Sequence, residues 1–392
     1  MNNSSSMRIA IVGGGPAGLT LARILQNYNV TCTVFELDKT PDRRDQGGSI
    51  DLHRNGGQQA LREAGLLEEF RRVARPEGEA LKLIKYDGTV VLDENVAGSR
   101  RPEEHADRPE VDRTKLRQLL LDSLQPNTVI WDKKLVSVAA STSIPGRYDL
   151  HFQDSVEEGF DLVVGADGAW SRVRNFLTEQ KPSYSGVTGI ELWALEVDKR
   201  HQWLGEFVGA GSCFMFDEGR AIQCQRDGEN RIRVYVGVRQ PEDWINTCGI
   251  DWASPEEAKK ALLDRYFNDC APDLKRAVLD ANDQLIPRQM WMLPIGMRWE
   301  THPGVTLVGD AAHLMTPFAG VGVNLAMLDA MDLAKAVIGC AGDASRLPDA
   351  IRQYEEVMWE RAEQNARKTE KGLIGHFSAD GIDEMARRLQ GR

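Results

Sequence analysis

Cysteine is sparse and without pattern in this chain. Six residues in 392 (Cys32, Cys213, Cys224, Cys248, Cys270 and Cys340) show no CxxC or metal-ligand spacing. That speaks against a disulfide framework and suits a reducing compartment. The seven histidines form no HExxH or HxH pair, so no metal site is expected. Positive charge is short as well: 48 Lys and Arg face 59 Asp and Glu, a formal net charge of −11. So acidic a chain is poorly suited to a phosphate backbone, and no nucleic-acid partner is expected. Met1 to Ser6 are polar and lack the basic and apolar regions of a secretory signal. Long hydrophobic runs are missing too. The most membrane-like stretch, Val321–Ala341, is broken by Asp329, Asp332 and Lys335 at i, i+3 and i+6, one polar stripe on an otherwise buried helix. A soluble, cytoplasmic protein without stable membrane association is expected, most simply a monomer.

What is present reads as an α/β protein. Arg8 to Val12 is a short apolar run, as a strand covered on both faces should be. Gly13-Gly14-Gly15-Pro16-Ala17-Gly18 follows, then a helix over Leu19–Tyr28 and a second parallel strand over Thr31–Glu36. Helices are predicted over Leu61–Ala74, Arg113–Leu124, Ser254–Leu279 and Pro348–Lys371. A second strand–turn–helix unit spans Phe160–Phe176, with Ser171 and Arg174 on its helix, and a third strand covers Val305–Val308. Between about Tyr184 and Gln240 the texture becomes alternating β. There Ile232, Val234, Val236 and Val238 share one face, Arg233 and Tyr235 the other, after a hairpin turn at Asp227–Asn230. The expected layout is a Rossmann-like nucleotide-binding domain from residues 7–75, 100–180 and 285–345. A mostly antiparallel β domain from residues 76–99 and 181–284 is inserted into it, and a long C-terminal helix occupies 346–392.

The spacing of Gly13, Gly15 and Gly18 fits G-x-G-x-x-G between a strand and a helix. Glu36 stands 18 positions after the last glycine, at the end of the second strand. Gly13 permits the tight turn, Gly15 lets a pyrophosphate approach the backbone, and Gly18 lets the helix pack close to the strand. An acid at the next strand end can accept hydrogen bonds from ribose hydroxyls. This much fits NAD and FAD equally. Two further segments favour FAD. Asp161–Arg174 places Asp167-Gly168 just after a strand. Gly304–Leu333 has Asp310 leaving a strand, a loop shaped by Pro317 and Gly320, and a helix opened by Asn324. A second acid at a strand end can bind ribityl hydroxyls, and a glycine-lined helix N-terminus can hold a pyrimidine carbonyl or a phosphate.

With these three segments in order, the chain resembles the group A flavoprotein monooxygenases typified by para-hydroxybenzoate hydroxylase. Gly47–His53, Arg113–Arg117, Asn127–Leu135 and Gly309–Asn324 make it most similar to the tetracycline-inactivating flavin monooxygenases. The resemblance implies FAD contacts from Glu36, Asp51, Arg113 and Asp310, beside the motif residues Gly13, Gly15, Ala17, Gly18, Gly320, Val323 and Asn324. It implies that Arg44 and the Asp167 region receive NADPH or NADH. Taken from sequence alone, Asp51 reads equally as a turn cap, Arg113 as a first-turn helix residue and His313 as a structural neighbour of the cofactor.

Only one dinucleotide fingerprint occurs, so the nicotinamide is expected to dock transiently against bound FAD. The family chemistry then needs no protein nucleophile: reduced flavin and O₂ give a C4a-hydroperoxide that attacks an electron-rich carbon. Candidate substrate residues are Glu191, Phe214, Gln223, Gln225, Arg233 and Tyr235 of the inserted sheet, with Pro317, Phe318 and Gly320. By loose alignment, Glu191, Ser212 and Arg233 stand where the tetracycline-inactivating enzymes use Gln, Arg and His, and Val321 where they commonly have Gln. These departures weigh against tetracycline itself, and an aromatic or enolic polyketide-like molecule remains the expected substrate. A flavin oxidase or reductase on the same scaffold, or an inactive FAD-fold binding protein, are the alternatives.

Overall fold

A computed structural model describes residues 7–41, 43, 47–96, 107–340 and 343–391. Its first layer is a five-stranded parallel sheet. The spatial order is β17 (Val305–Leu307), β11 (Leu162–Gly165), β1 (Ile9–Val12), β2 (Cys32–Phe35) and β7 (Val129–Ile130). All four residues of β1 are buried, because β11 and β2 flank it and the hydrophobic core packs around it. Helix α1 (Pro16–Asn27) packs over it, with Leu19, Leu21, Ile24 and Leu25 in the core. Gly13 has φ +112°, and a Cβ there would stand 2.2 Å from the Ala166 carbonyl oxygen. A Cβ on Gly18 would stand 2.1 Å from the Gly13 oxygen. Both glycines are therefore fixed by backbone-to-backbone contact.

Several expected helices divide. Leu61–Ala74 becomes α2 (Gly57–Glu63) and α3 (Leu67–Val73), separated at Gly65, whose φ of +73° no helix accommodates. Helix α4 (Arg113–Asp122) matches expectation and follows a ribbon of β3 (Ser49–Asp51) and β6 (Glu110–Asp112). An antiparallel sheet of β8 (Leu135–Ala140), β9 (Tyr148–Phe152) and β10 (Val156–Phe160) completes this domain. After β11 the helix α5 (Arg174–Leu177) is only one turn long. Ser171 lies in the preceding turn, a correction to its expected place on the helix.

The second domain is a seven-stranded sheet in the order β16 (Gln284–Met292), β12 (Ser183–Ala194), β15 (Arg231–Arg239), β14 (Arg220–Asp227), β13 (Ser212–Asp217), β4 (Leu81–Ile84) and β5 (Val90–Asp93). Strand β16, from the segment expected in the first domain, pairs with β12 in this sheet. The hairpin turn is realised with Glu229 and Asn230 at φ +58° and +60°. On one face Ile190, Leu192, Ile222, Val234 and Val236 pack with Leu262, Leu263, Leu274 and Val278. The last four come from α9 (Pro255–Tyr266) and α10 (Pro272–Asp280), two helices where one was expected, because Pro272 starts the second. The remaining helices of this region are the short α6 (Val197–Arg200), α7 (Gln202–Val208) and α8 (Trp244–Thr247). The other face turns toward the first domain, where Gly48 lies against Arg233 and Tyr235, so Arg233 is buried and Tyr235 half-buried, while Arg239 at the strand's end is exposed.

Two long helices close the molecule. Beyond the one-turn α11 (Asp310–His313), α12 (Gly322–Gly339) packs against α1 and α13 (Leu347–His376). Helix α13 starts in the nucleotide-binding core, where Tyr354 donates to the Leu307 carbonyl at 2.8 Å. Its end, with Leu373 and Phe377, joins Leu83, Phe216 and Ala221 of the second sheet. A further helix, α14 (Gly381–Gln390), follows and was not expected from sequence; Lys85 pairs with its Asp383 at 2.9 Å. Among the described residues no helix is long and apolar enough to cross a membrane.

Candidate functional site

The three glycine-bearing segments leave adjacent parallel strands on the same edge and meet in one cleft. Gly15 caps α1 without a side-chain hydrogen bond, so the first-turn N–H groups of that helix point outward unsatisfied. Among the described residues, and apart from the glycines' own chain neighbours and helix backbone, no heavy atom lies within 4 Å of the place a Cβ would take on Gly15, Gly168 or Gly322. The backbone there borders open space. Glu36 is held against the glycine turn: one oxygen accepts from the Gly14 N–H at 2.5 Å, the other from the Asp38 N–H at 2.9 Å. Buried Arg117 donates to the Gly14 and Pro41 carbonyls at 3.1 Å and to Asp38 at 3.2 Å. The sequence reading passed over Arg117, although its place four residues after Arg113 puts both on one helix face.

Asp167 is turned inward on its own loop. It accepts from the Ser171 hydroxyl at 2.5 Å and from the Arg172 N–H at 2.7 Å. Buried Arg174 donates to Ala169 at 2.7 Å and to Ala311 at 3.0 Å, and so ties the second segment to the third. In that third segment Asp310 is exposed to the cleft, while protein crowds it from behind. That crowding raises its carboxyl above the ordinary value, and the charges of His313 and Arg113 pull it back. Burial opposes a charge on His313, but the Asp329 carboxylate at 2.6 Å outweighs it and the imidazole pKa rises. Asp329 also accepts from the Gly309 N–H at 3.0 Å and from Arg361 of α13 at 2.9 Å. The acid expected on a polar stripe is thus the buried hub of the loop.

Asn324 uses both ends of its amide on protein groups. It accepts from the N–H groups of His53 at 2.7 Å and Gly57 at 2.9 Å and donates to the Asp51 carbonyl at 2.9 Å. This clamp brings Asp51 to the Pro317–Gly320 loop, where a Cβ on Gly320 would lie 3.6 Å from its carboxylate. Arg113 is exposed nearby, its stem 3.1 Å from where a Gly47 Cβ would be. Ala17 and Val323 pack at the cleft's base. Arg44 lies outside the described residues. An open backbone cradle at a helix N-terminus, two strand-end acids and an exposed arginine fit the donor and acceptor pattern of a flavin dinucleotide.

Strand register places Glu191, Tyr235, Gln223 and Phe214 in one row across β12, β15, β14 and β13, on the inner face of the second sheet. Burial raises the Tyr235 hydroxyl pKa, so it stays protonated. Phe318 reaches toward the same wall, and Pro317 is exposed beside it. Arg233 sits in the next row and is 2% exposed. It ion-pairs with Glu191, donates to Asp227 at 2.9 Å and lies 4.0 Å over the Trp193 ring. Asp227 in turn accepts from the Ser49 N–H at 3.0 Å, across the domain boundary. The anion that a buried arginine requires is therefore supplied by the protein. His376 and Phe216, at the end of α13 and on β13, also border this wall. No sequence signal pointed to His376, because the charged pattern of α13 fades at Lys371.

Two outcomes follow from this geometry. Gly15→Val should fold, since its φ of −84° suits a valine and the new side chain meets open space. It should nevertheless purify without flavin because the pyrophosphate's place is filled. Wild-type far-UV circular dichroism without yellow colour is expected, and a full flavin complement would contradict it. Arg233→Met should lower unfolding stability by about 3–5 kcal/mol, because Asp227 and Glu191 lose the buried guanidinium between them, Glu191 retaining the exposed Arg288 at 3.1 Å. An unchanged urea midpoint would contradict the ion-pair role.

Comparisons with known proteins bear on the family and the fold. The family described as "FAD binding domain" matches residues 6–369. Monooxygenase penA of Penicillium thymicola is 32% identical over 440 residues, spanning 100% of both chains. The 3-amino-4-hydroxybenzoate 2-monooxygenase PtnB3 of Streptomyces platensis is 31% identical, covering 94% of this chain and 89% of its own. Among solved structures, tetracycline destructase Tet(55) shares the fold with a TM-score of 0.73 at 18% identity, covering 100% of this chain and 96% of its own. The chain belongs to the FAD binding domain family and is an FAD-dependent monooxygenase.

Proposed function

We propose that this monooxygenase uses NADPH or NADH with O₂ to hydroxylate an electron-rich aromatic or enolic small molecule of polyketide-like character. In this reading it acts as a monomer. The observation that supports the proposal is that Gly47 and Gly48 lie between the two halves of the site: a Cβ on Gly47 would stand 3.1 Å from the Arg113 stem, and one on Gly48 would stand 2.8 Å from the hydroxyl of Tyr235, a member of the Glu191–Tyr235–Gln223–Phe214 row. One nucleotide cradle leaves the nicotinamide to approach from solvent, with Arg44 and the Asp167 loop as its receiving residues. Bound FAD would supply two-electron transfer from the nicotinamide to O₂, one oxygen atom going to the substrate and the other to water.

The residues of this chain bind and orient. The N-terminus of α1 would hold the pyrophosphate, and Glu36 the adenosine ribose. Asp310 and Arg113 would face the ribityl chain and ring, with Asp51 and the backbone of Gly320 to Asn324 at the ring's edge. Phe214, Phe318 and the apolar parts of the sheet exclude water from the substrate, which favours insertion of oxygen over loss of peroxide.

Screening phenols and polyketides for faster NADPH and NADH oxidation tests the reading. At least one electron-rich ring should accelerate oxidation several-fold, with peroxide release below the nicotinamide consumed. Oxidation insensitive to every ring, with peroxide formed one for one, would instead establish an oxidase.

A further inference from the structure

The substrate wall carries one polar atom that the sequence reading never singled out. Helix α13 approaches the Pro317–Gly320 loop so closely that a Cβ on Gly372 would stand 2.5 Å from the Phe318 carbonyl oxygen. One turn later, the His376 ring lies 4.0 Å from the Phe216 ring and 5.2 Å from that of Phe318, between centroids. Phe216 is 5.6 Å from Phe214, a member of the inner-face row. His376 thus stands where the sheet, the loop and the C-terminal helix meet, within an aromatic surround.

Its tautomer is fixed by the backbone. Nδ1 lies 2.6 Å from the Gly372 carbonyl oxygen, which can only accept, so Nδ1 carries the hydrogen. Burial pushes the imidazole down to about 4, and Arg388 of α14 pushes the same way against the Gly372 hydrogen bond. The ring is therefore neutral in ordinary buffers and Nε2 presents a lone pair. Among the described residues no group hydrogen-bonds to Nε2, and the residue is only partly buried. The arginine of this wall, Arg233, is already matched by Glu191 and Asp227.

We propose that His376 is a specificity-determining contact: Nε2 accepts a hydrogen bond from an uncharged ring O–H or N–H of the substrate, and the site prefers neutral hydroxy- or lactam-type rings to carboxylates. The inference rests on the ring-hydroxylation reading above. An acceptor on a ring hydroxyl also increases electron density at the ring carbons, the direction that hydroxylation needs.

Matched probes test it on the FAD-loaded enzyme: salicylamide against salicylate, and 2-naphthol against 3-hydroxy-2-naphthoate, followed by NADPH oxidation and coupling. The neutral member of each pair should be the better substrate. His376→Phe keeps the ring packing and removes the acceptor, and should raise KM for the neutral probe by about 2- to 10-fold, the range of one hydrogen bond. His376→Gln restores an acceptor and should recover part of that loss, with flavin content and melting temperature confirming that both variants fold. Preference for the carboxylates, or a wild-type KM in His376→Phe, would overturn the assignment. Stimulation by neither class, with intact basal NADPH oxidation, would overturn the ring-hydroxylation reading and this inference with it.

Discussion

The loop after β1 and the loop after β11 touch backbone to backbone, and the rest of the cleft is built outward from that contact. With only 2.2 Å between a hypothetical Gly13 Cβ and the Ala166 oxygen, neither loop can shift without the other. Arg174 extends the constraint to Ala311, and Asp329 extends it to Gly309. Three segments far apart in sequence therefore present their glycines to one open space. Buried ion pairs rarely add much net stability, but each is costly to break by halves. Used here, they fix the position of a loop.

The second sheet is held to this frame by the same means. Asp227 receives both Arg233 and the Ser49 N–H, and Asp112 accepts from the Gly228 N–H at 2.8 Å. Strand β3, which carries Asp51, is thus gripped by Asn324 on one side and by the second sheet on the other. Helix α13 spans both domains and delivers Phe377 and His376 to the sheet. The proposed substrate wall is composite as a result: one sheet face, one loop of the nucleotide-binding domain and the end of the C-terminal helix.

Much of the frame was legible in the sequence, because its causes are local. A strand, a glycine turn and an acid at the next strand end are written in consecutive residues, and so is the alternation of β15. The divided helices were only partly legible: Gly65 and Pro272 were visible breakers, but the apolar periodicity ran through both. Roles decided by long-range packing were hidden. Nothing near Arg117 announces Gly14, nothing near Asp329 announces His313, and His376 lies beyond the charged pattern that marked its helix. The alternation of β15 put Arg233 on the face of Tyr235, yet its counter-charges come from residues 42 and 6 positions away, which only strand register reveals.

The central claim is that reducing power and O₂ meet in the cleft to place one oxygen atom on a bound ring. Turnover of an accelerating substrate under ¹⁸O₂, followed by product mass spectrometry, tests it most directly. Hydroxylation predicts a product heavier by one ¹⁸O atom, with no label acquired from H₂¹⁸O under ¹⁶O₂. A substrate of unchanged mass beside stoichiometric labelled peroxide, or an oxygen derived from water, would contradict it.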